Sequence, residues 1–155
     1  MNFRRVIDTK IGFLTLGSDG ESLTELSFGS NTVEPGKTPC PLLDTTENQV
    51  REYLDGRRRT FDLPLLFDGS EFERSVYNAL LAIPYGEVMS YADVARAIGR
   101  PRACRAVGNA AGKNRIAVII PCHRLVSSSG IGGFGRGFLG GIEIKRALLA
   151  IESSP

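Results

Sequence analysis

The character of the chain changes at residues 67–70, where the sequence Phe-Asp-Gly-Ser separates two different patterns. Before this point, segments 4–7, 12–16 and 23–28 are rich in strand-forming residues and are separated by turn sequences. After it, apolar residues recur at helical spacing behind Ser-x-x-acid capping signals. Strands followed by helices predict an α+β chain of two small domains, which a length of 155 residues can accommodate.

The first domain is expected over residues 1–66. Beyond its three strands, a loop rich in Pro and Gly covers 31–41. The sequence Thr-Glu-Asn-Gln at 46–49 then predicts a capping box that opens a helix through about residue 54. Segment 60–65 is predicted as an edge strand, because Pro64 has no N–H to donate to a central ladder.

The second domain is expected over residues 70–155 and is mainly helical. Ser70 with Glu73 forms a second predicted capping box, and Pro-Tyr-Gly at 84–86 ends that helix. Ser90 with Asp93 caps another predicted helix over 91–98, and a third is predicted over 103–111. The tight turn between these two helices contains a glycine, a pattern typical of a helix-turn-helix.

Charge is distributed unevenly along this second domain. Residues 94–142 hold eight of the chain's 19 basic residues and none of its 17 acidic ones. These eight are Arg96, Arg100, Arg102, Arg105, Lys113, Arg115, Arg124 and Arg136. Such a segment is typical of a surface that binds a polyanion, although a basic surface that serves solubility is the alternative.

The third predicted helix carries little side-chain bulk. Its small residues are Ala103, Ala106, Gly108, Ala110 and Ala111. A helix of this kind either packs closely against its own core or brings its backbone close to a partner. The arginines in and before it favour the second interpretation, because phosphate contacts need cations.

Cysteine usage points to a reactive thiol. Cys40, Cys104 and Cys122 are odd in number and irregularly spaced, which predicts neither a disulfide framework nor a zinc site but reduced thiols in a reducing compartment. Cys122 precedes His123, the single histidine of the chain, and follows an apolar run at 116–120 that is predicted to be extended. A nearby imidazole or arginine raises the thiolate fraction of a cysteine. The alternatives for Cys122 are therefore a nucleophile and an inert core thiol.

Four segments resemble the O6-alkylguanine-DNA alkyltransferase family. Residues 121–125 read PCHRL, similar to the family signature PCHR[VL]. Residues 83–91 read IPYGEVMSY, similar to IPxGxVxSY, and residues 105–114 read RAVGNAAGKN, similar to RAVGxAxxxN. Residues 144–152 end in KRALLAIE, which fits KxxLLxxE. The order and spacing agree from about Phe72 to Glu152.

The resemblance implies an α+β architecture and a single chemical step. A small N-terminal α/β domain, RNase H-like, would precede a mainly helical domain with a helix-turn-helix. Cys122 would accept the alkyl group, His123 would take the thiol proton through a water, and Glu152 would orient His123. Tyr91 would donate a proton to the leaving guanine, and Asn114 would tie the recognition helix to the active-site segment. The reaction would be stoichiometric, with no cofactor and no metal.

The resemblance also implies how the lesion is reached. The partner would be double-stranded DNA containing O6-alkylguanine, with O4-alkylthymine as a second candidate lesion. The helix-turn-helix would enter the minor groove, and Arg105 would fill the gap left by the flipped base. The other positions expected at the DNA are Arg102, Ala106, Asn109, Ser90 and Arg124. The positions expected around the base are Leu125, Phe134, Gly135, Ala111 and Ala117.

The chain also departs from the family pattern. The glycine-rich segment 130–141 is about three residues longer than usual, and a phenylalanine stands where tyrosine is common. Two registers fit this loop, and the one that places Phe134 and Gly135 against the base is preferred. Ala117 replaces a proline of some relatives and predicts a roomier pocket.

Three further classes remain as alternatives: an alkyltransferase-like lesion sensor, a helix-turn-helix regulator and a cysteine hydrolase. Lesion sensors replace the acceptor cysteine, and a regulator needs dimer contacts for which no heptad is present. No apolar run reaches membrane-spanning length, and the N-terminus lacks the apolar segment of a secretory signal. We therefore expect a cytoplasmic monomer that does not bind membranes.

Overall fold

A computed structural model describes residues 2–29, 39–128, 130 and 141–153. The chain divides into two compact units, Met1–Phe67 and Asp68–Pro155. No helix among the described residues has the length and apolarity needed to cross a membrane.

The first unit is built on a three-stranded antiparallel sheet. Its strands are β1 (Phe3–Thr9), β2 (Gly12–Ser18) and β3 (Leu23–Phe28), in the order β1-β2-β3. The register pairs Ile7 with Leu14 and Leu16 with Leu26, so apolar side chains alternate onto one face and are buried there. The three predicted strands are confirmed, each within two residues of its expected end.

Helix α1 (Pro41–Leu54) covers this sheet with Leu43, Val50, Tyr53 and Leu54 buried. The expected capping box at 46–49 is wrong. The helix begins six residues earlier than that box would place it, because Pro41 supplies the fixed φ suited to a first helical position behind an extended Cys40. Thr46 lies inside the helix, where its hydroxyl donates to the carbonyl of Leu42 at 2.8 Å.

Segment 60–65 does not form the edge strand that we expected. It makes a single parallel bridge between Leu23 and Leu65. The Leu23 N–H donates to the Pro64 carbonyl at 2.8 Å, and the Leu66 N–H donates to the Leu23 carbonyl at 3.0 Å. Pro64 can contribute only its carbonyl, which limits the pairing to this one bridge.

The second unit contains the predicted succession of helices. They are α2 (Glu71–Leu81), α3 (Tyr91–Ala97) and α4 (Cys104–Gly112). Both predicted capping boxes are present, at Ser70 with Glu73 and at Ser90 with Asp93. Helices α3 and α4 pack together and form the expected helix-turn-helix, with Gly99 at a positive φ of 75° in the turn.

The apolar run at 116–120 is wrongly predicted as extended. It folds into a compact buried turn in which the Ile120 N–H donates to the Ile116 carbonyl at 3.0 Å. Val118 occupies a positive φ of 72°, which is costly for a β-branched residue and persists only where the surroundings hold it. Asn114 supplies that restraint, because its side chain accepts from the Ile116 N–H at 3.0 Å and donates to the Ile120 carbonyl at 2.9 Å.

Beyond this turn, Cys122–Arg124 forms one 3₁₀ turn, and β5 (Leu125–Val126) pairs in parallel with β4 (Met89–Ser90). Helix α5 (Gly141–Ser153) follows, with Lys145, Leu148 and Glu152 buried. These three residues are spaced three and four apart, so they share one helix face. Contacts join that face to the 3₁₀ turn.

Candidate active site

The 3₁₀ turn brings Cys122 and His123 to the interior of the second unit. On a regular strand these neighbours would point in opposite directions, so the turn is what allows them to cooperate. Cys122 is 9% exposed and His123 is fully buried. The Asn114 amide donates to the Cys122 sulfur at 3.3 Å, so the residue that closes the turn at 116–120 also orients the thiol.

Glu152 is the centre of a buried hydrogen-bond network. His123 Nε2 lies 2.6 Å from Glu152 Oε2, and Arg124 donates from Nε at 2.8 Å and from Nη2 at 3.0 Å. The Gly86 N–H adds a fourth contact at 3.1 Å. A carboxylate oxygen at this distance accepts from Nε2 of His123, which leaves Nδ1 as the basic nitrogen.

Burial decides the charge state of the imidazole. Burial lowers the pKa of His123, and the positive charges of Arg124 and Lys145 act in the same direction, against the hydrogen bond and the negative charge of Glu152. His123 is therefore neutral at neutral pH. A neutral imidazole held by a carboxylate can accept a proton, as a general base must.

Arg124 does not lie where we expected it. The sequence placed it at the DNA, but it is 7% exposed and its guanidinium is directed inward. Besides Glu152, it donates to the Ile83 carbonyl at 2.7 Å and lies over the Tyr85 ring, 5.8 Å from its centroid. Its guanidinium is thus engaged within the second unit and not on the exposed surface where we predicted a DNA contact.

The thiol itself also differs from expectation. Its basic neighbours in sequence were expected to favour the thiolate, whereas burial raises the pKa of Cys122. The Asn114 hydrogen bond and the charge of Lys145 oppose that increase but are smaller. Cys122 is therefore a protonated thiol until a base removes its proton.

Sequence reasoning missed Lys145. Its side chain is fully buried, and Nζ donates to the Leu125 carbonyl at 2.6 Å. The available signal was its position on α5, three residues before Leu148 and seven before Glu152, which places a lysine on the buried face of the helix.

A cavity of about 560 Å³ lies between the helix-turn-helix and the segment after β5. Its described lining residues are Ser90, Tyr91, Ala92, Cys104, Arg105, Gly108, Ser127 and Ser128. The Tyr91 ring lies against α4 at Gly108, where an added Cβ would be 3.3 Å from Cε1 of the ring. The missing side chain at Gly108 thus serves packing within the unit.

The residues predicted around the base stay a prediction, because Cys122 is not among the described residues that line this cavity. The described residues that line the cavity do not include Ala111, Ala117 or Leu125. Leu125 and Ala117 are buried, in β5 and in the turn at 116–120, and Ala111 is half-buried near the end of α4. Phe134 and Gly135 lie outside the described residues.

The outer face of α4 presents the residues predicted to contact DNA. Arg105, Ala106 and Asn109 are exposed on it, and Arg102 is exposed just before it. Ser90 is half-buried, because its hydroxyl caps α3. Small and basic residues therefore share one surface, beside the cavity that Tyr91 and Arg105 line.

No cluster of three or more His, Cys, Asp or Glu side chains that could hold a metal ion occurs in the described ranges.

Comparison with known proteins connects this geometry to a family. Residues 71–154 match the family model for the DNA-binding domain of 6-O-methylguanine DNA methyltransferase. The chain belongs to this family. Residues 2–67 match the model for its ribonuclease-like domain. The predicted family, fold class and enzyme class, a DNA repair methyltransferase that transfers to a cysteine, are confirmed.

Relatives of this family cover nearly the whole chain. The methylated-DNA–protein-cysteine methyltransferase of Mycobacterium tuberculosis is 45% identical over 97% of this chain and 92% of its own length. The constitutive enzyme of Bacillus subtilis is 37% identical over 98% and 96%. The crystal structure of the M. tuberculosis O6-methylguanine methyltransferase has a TM-score of 0.88 at 43% identity, covering 100% of this chain and 96% of that one.

A crystal structure of the M. tuberculosis OGT in complex with DNA has a TM-score of 0.85 at 44% identity. The match covers 97% of this chain and 92% of that chain. Together with the DNA-binding domain that the family model describes, this similarity supports DNA as the partner of the methyltransferase. Family membership also decides against the regulator and the cysteine hydrolase that the sequence left as alternatives.

Proposed function

We propose that this methyltransferase transfers the alkyl group of O6-alkylguanine in duplex DNA to the sulfur of Cys122. The observation that carries the proposal is the network in which Cys122 lies on one 3₁₀ turn with His123, whose imidazole is held by Glu152 at 2.6 Å. This arrangement provides a nucleophile, a neutral base and a carboxylate that orients the base. O4-alkylthymine, which also carries its alkyl group on a ring oxygen, is a second candidate lesion.

The transfer is an in-line displacement at carbon. The thiol proton moves from Sγ to Nδ1 of His123 through a water, and the thiolate attacks the alkyl carbon. The S–C bond forms as the C–O6 bond breaks, and the Tyr91 hydroxyl donates a proton to the leaving guanine. The proton on His123 balances the one that Tyr91 has given, so the products are S-alkylcysteine and neutral guanine.

The lesion has to leave the duplex to reach a sulfur that is only 9% exposed. Extruding a damaged base costs a few kcal/mol, which contacts along the groove have to supply. The exposed face of α4 is suited to a minor groove, because Ala106 and Asn109 are small and Arg105 is the long side chain among them. Arg105 also lines the cavity, which supports a role in filling the gap that the flipped base leaves in the duplex.

We further infer that the protein acts as a monomer in the cytoplasm, associated with the nucleoid if the source is prokaryotic. Every described residue assigned above to the chemistry and to the DNA surface belongs to the second unit of a single chain. The mechanism also requires a reduced thiol and access to genomic DNA, which a reducing compartment provides.

The proposal is tested by intact mass before and after incubation with a duplex that carries one O6-methylguanine. We expect one added methyl group per protein, located on the peptide that contains Cys122, and no further turnover. A thioether is not returned to a thiol by ordinary reductants, so each molecule reacts once. Repeated turnover, or an unmodified Cys122 after the lesion has been repaired, would contradict the mechanism.

Arg105→Ala is expected to slow capture of the lesion while leaving the fold intact. The side chain is exposed, so its removal should change the free energy of unfolding by less than about 0.5 kcal/mol. The second-order rate constant for transfer from duplex DNA should fall, whereas transfer from the free base O6-methylguanine should not change. Arg100→Ala, at an exposed arginine in the turn that precedes α4, is the matched control. Equal loss on both substrates would assign Arg105 a role other than holding the duplex.

A further inference from the structure

Lys145 is a buried charged group that the proposed reaction does not use. Its ammonium is fully buried and donates to the Leu125 carbonyl at 2.6 Å. Taking an ammonium out of water is costly, so a lysine at such a position calls for an electrostatic reason.

The hydrogen bond places this ammonium at the active-site turn. Leu125 directly follows the 3₁₀ turn Cys122–Arg124, and α5, which carries Lys145, packs against that turn. The charge of Lys145 lowers the pKa of both Cys122 and His123. Burial lowers the pKa of Lys145 to about 8, and the charge on Cys122 acts in the opposite direction. The two groups therefore influence each other.

We propose that Lys145 is the counter-ion of the Cys122 thiolate. The proton of the thiol still goes to His123, and no bond to Lys145 forms or breaks. What the ammonium does is stabilise the negative charge on the sulfur after the proton has left. In this role Lys145 is a positioning residue, since it acts through the sulfur. The inference rests on the proposed function in one respect, that the thiolate of Cys122 is the nucleophile.

The other charged and titratable groups at this turn have different roles. Arg124 is bound through two nitrogens to Glu152, which compensates its charge. His123 becomes cationic only once the proton has moved, and it is held by the same carboxylate. Tyr77 of α2 donates to the Ala110 carbonyl at 2.9 Å, and burial raises its pKa, so it stays neutral. Within the part of the chain that the structure describes, the charge of Lys145 is thus the one that acts on the sulfur before the proton is transferred.

The test is the rate at which iodoacetamide alkylates Cys122 as a function of pH, without DNA. The peptide that contains Cys122 is quantified by mass spectrometry, which separates it from Cys40 and Cys104. Lys145→Met keeps the length of the side chain and removes its charge. Arg146→Met, on the exposed side of the same helix, removes one positive charge as a matched control.

We expect Lys145→Met to lower the rate of alkylation at pH 7 about tenfold, the effect of one pKa unit, because Lys145 is charged at that pH. Well above pH 8 the ammonium of the unaltered chain loses its proton, so the two chains should react at similar rates there. A merely structural role would slow alkylation at every pH or at none. Arg146→Met should keep the rate of the unaltered chain at pH 7. A folded Lys145→Met variant with an unchanged rate at pH 7 would overturn the proposal.

A second measurement keeps the proposal testable if Lys145→Met does not fold. The ammonium of Lys145 is titrated by NMR in the unaltered chain, before and after Cys122 has been carbamidomethylated. A capped sulfur cannot carry a negative charge, so the apparent pKa of Lys145 should fall after the modification. An unchanged value would overturn the proposal. Since neither measurement uses DNA, their outcome is separate from that of the methyl-transfer experiment.

Discussion

Cys122→Ala is expected to abolish alkyl transfer while leaving affinity for duplex DNA nearly unchanged. The sulfur is the atom that forms the new bond, so its removal leaves no acceptor. Cys122 is 9% exposed, whereas the proposed DNA surface consists of exposed residues of α4. The substitution therefore removes the acceptor atom and leaves the DNA surface unchanged. Transfer is measured with a radiolabelled methyl group on a duplex, and binding by fluorescence anisotropy.

Cys104→Ala is the matched control for this substitution. Cys104 is half-buried and lines the cavity beside Arg105, but its thiol is absent from the His123 and Glu152 network. We expect it to transfer at the rate of the unaltered chain. Residual transfer in Cys122→Ala, or loss of transfer in Cys104→Ala, would show that Cys122 is not the acceptor thiol. Loss of DNA binding in Cys122→Ala would show that Cys122 is a structural residue.

The parts of the fold that sequence predicted well are those that local hydrogen bonds determine. Ser70 with Glu73 and Ser90 with Asp93 satisfy each other's N–H groups within four residues, so both helix starts were predictable. The three strands were predictable for a similar reason, since turns separate segments whose side chains alternate. In both cases the information lies within a few consecutive residues.

The turn at 116–120 shows where local information ends. A short apolar run is compatible with a strand and with a buried turn, and periodicity does not distinguish them. The choice is made by the Asn114 side chain, which bonds to the Ile116 N–H and to the Ile120 carbonyl and stabilises the strained Val118. The start of α1 was missed because Pro41 at its first position was taken as part of a loop.

The same distinction applies to the candidate site. Motifs predict roles for Cys122, His123, Asn114 and Glu152. The structure brings them into two contacting pairs, Asn114 with Cys122 and His123 with Glu152. The placement of charged side chains could not be predicted, because it depends on distant partners. Arg124 meets a carboxylate 28 residues away, and Lys145 meets a carbonyl 20 residues away. A basic segment thus predicts a surface position for Arg124, whereas its hydrogen bonds to Glu152 hold it in the interior.

The same buried network gives the second large effect, in Glu152→Gln. The substitution keeps the size of the side chain and removes its charge, so Arg124 loses the carboxylate that accepts from two of its nitrogens. A buried cation left without its partner costs about 3–5 kcal/mol of the free energy of unfolding. His123 also loses the negatively charged acceptor at 2.6 Å that fixes its tautomer, and we expect transfer to slow about 10²-fold. Urea unfolding and single-turnover kinetics measure the two effects.

The double substitution Arg124→Met with Glu152→Met separates stability from chemistry. Replacing both members of a buried ion pair by apolar side chains removes the unpaired charge, so much of the lost stability should return. Transfer should remain slow, because His123 still lacks its carboxylate. Arg57→Met is the control, since that arginine is 63% exposed and its pair with Asp55 should contribute less than about 1 kcal/mol. A double variant that recovered transfer together with stability would show that Glu152 serves the fold and does not orient the base.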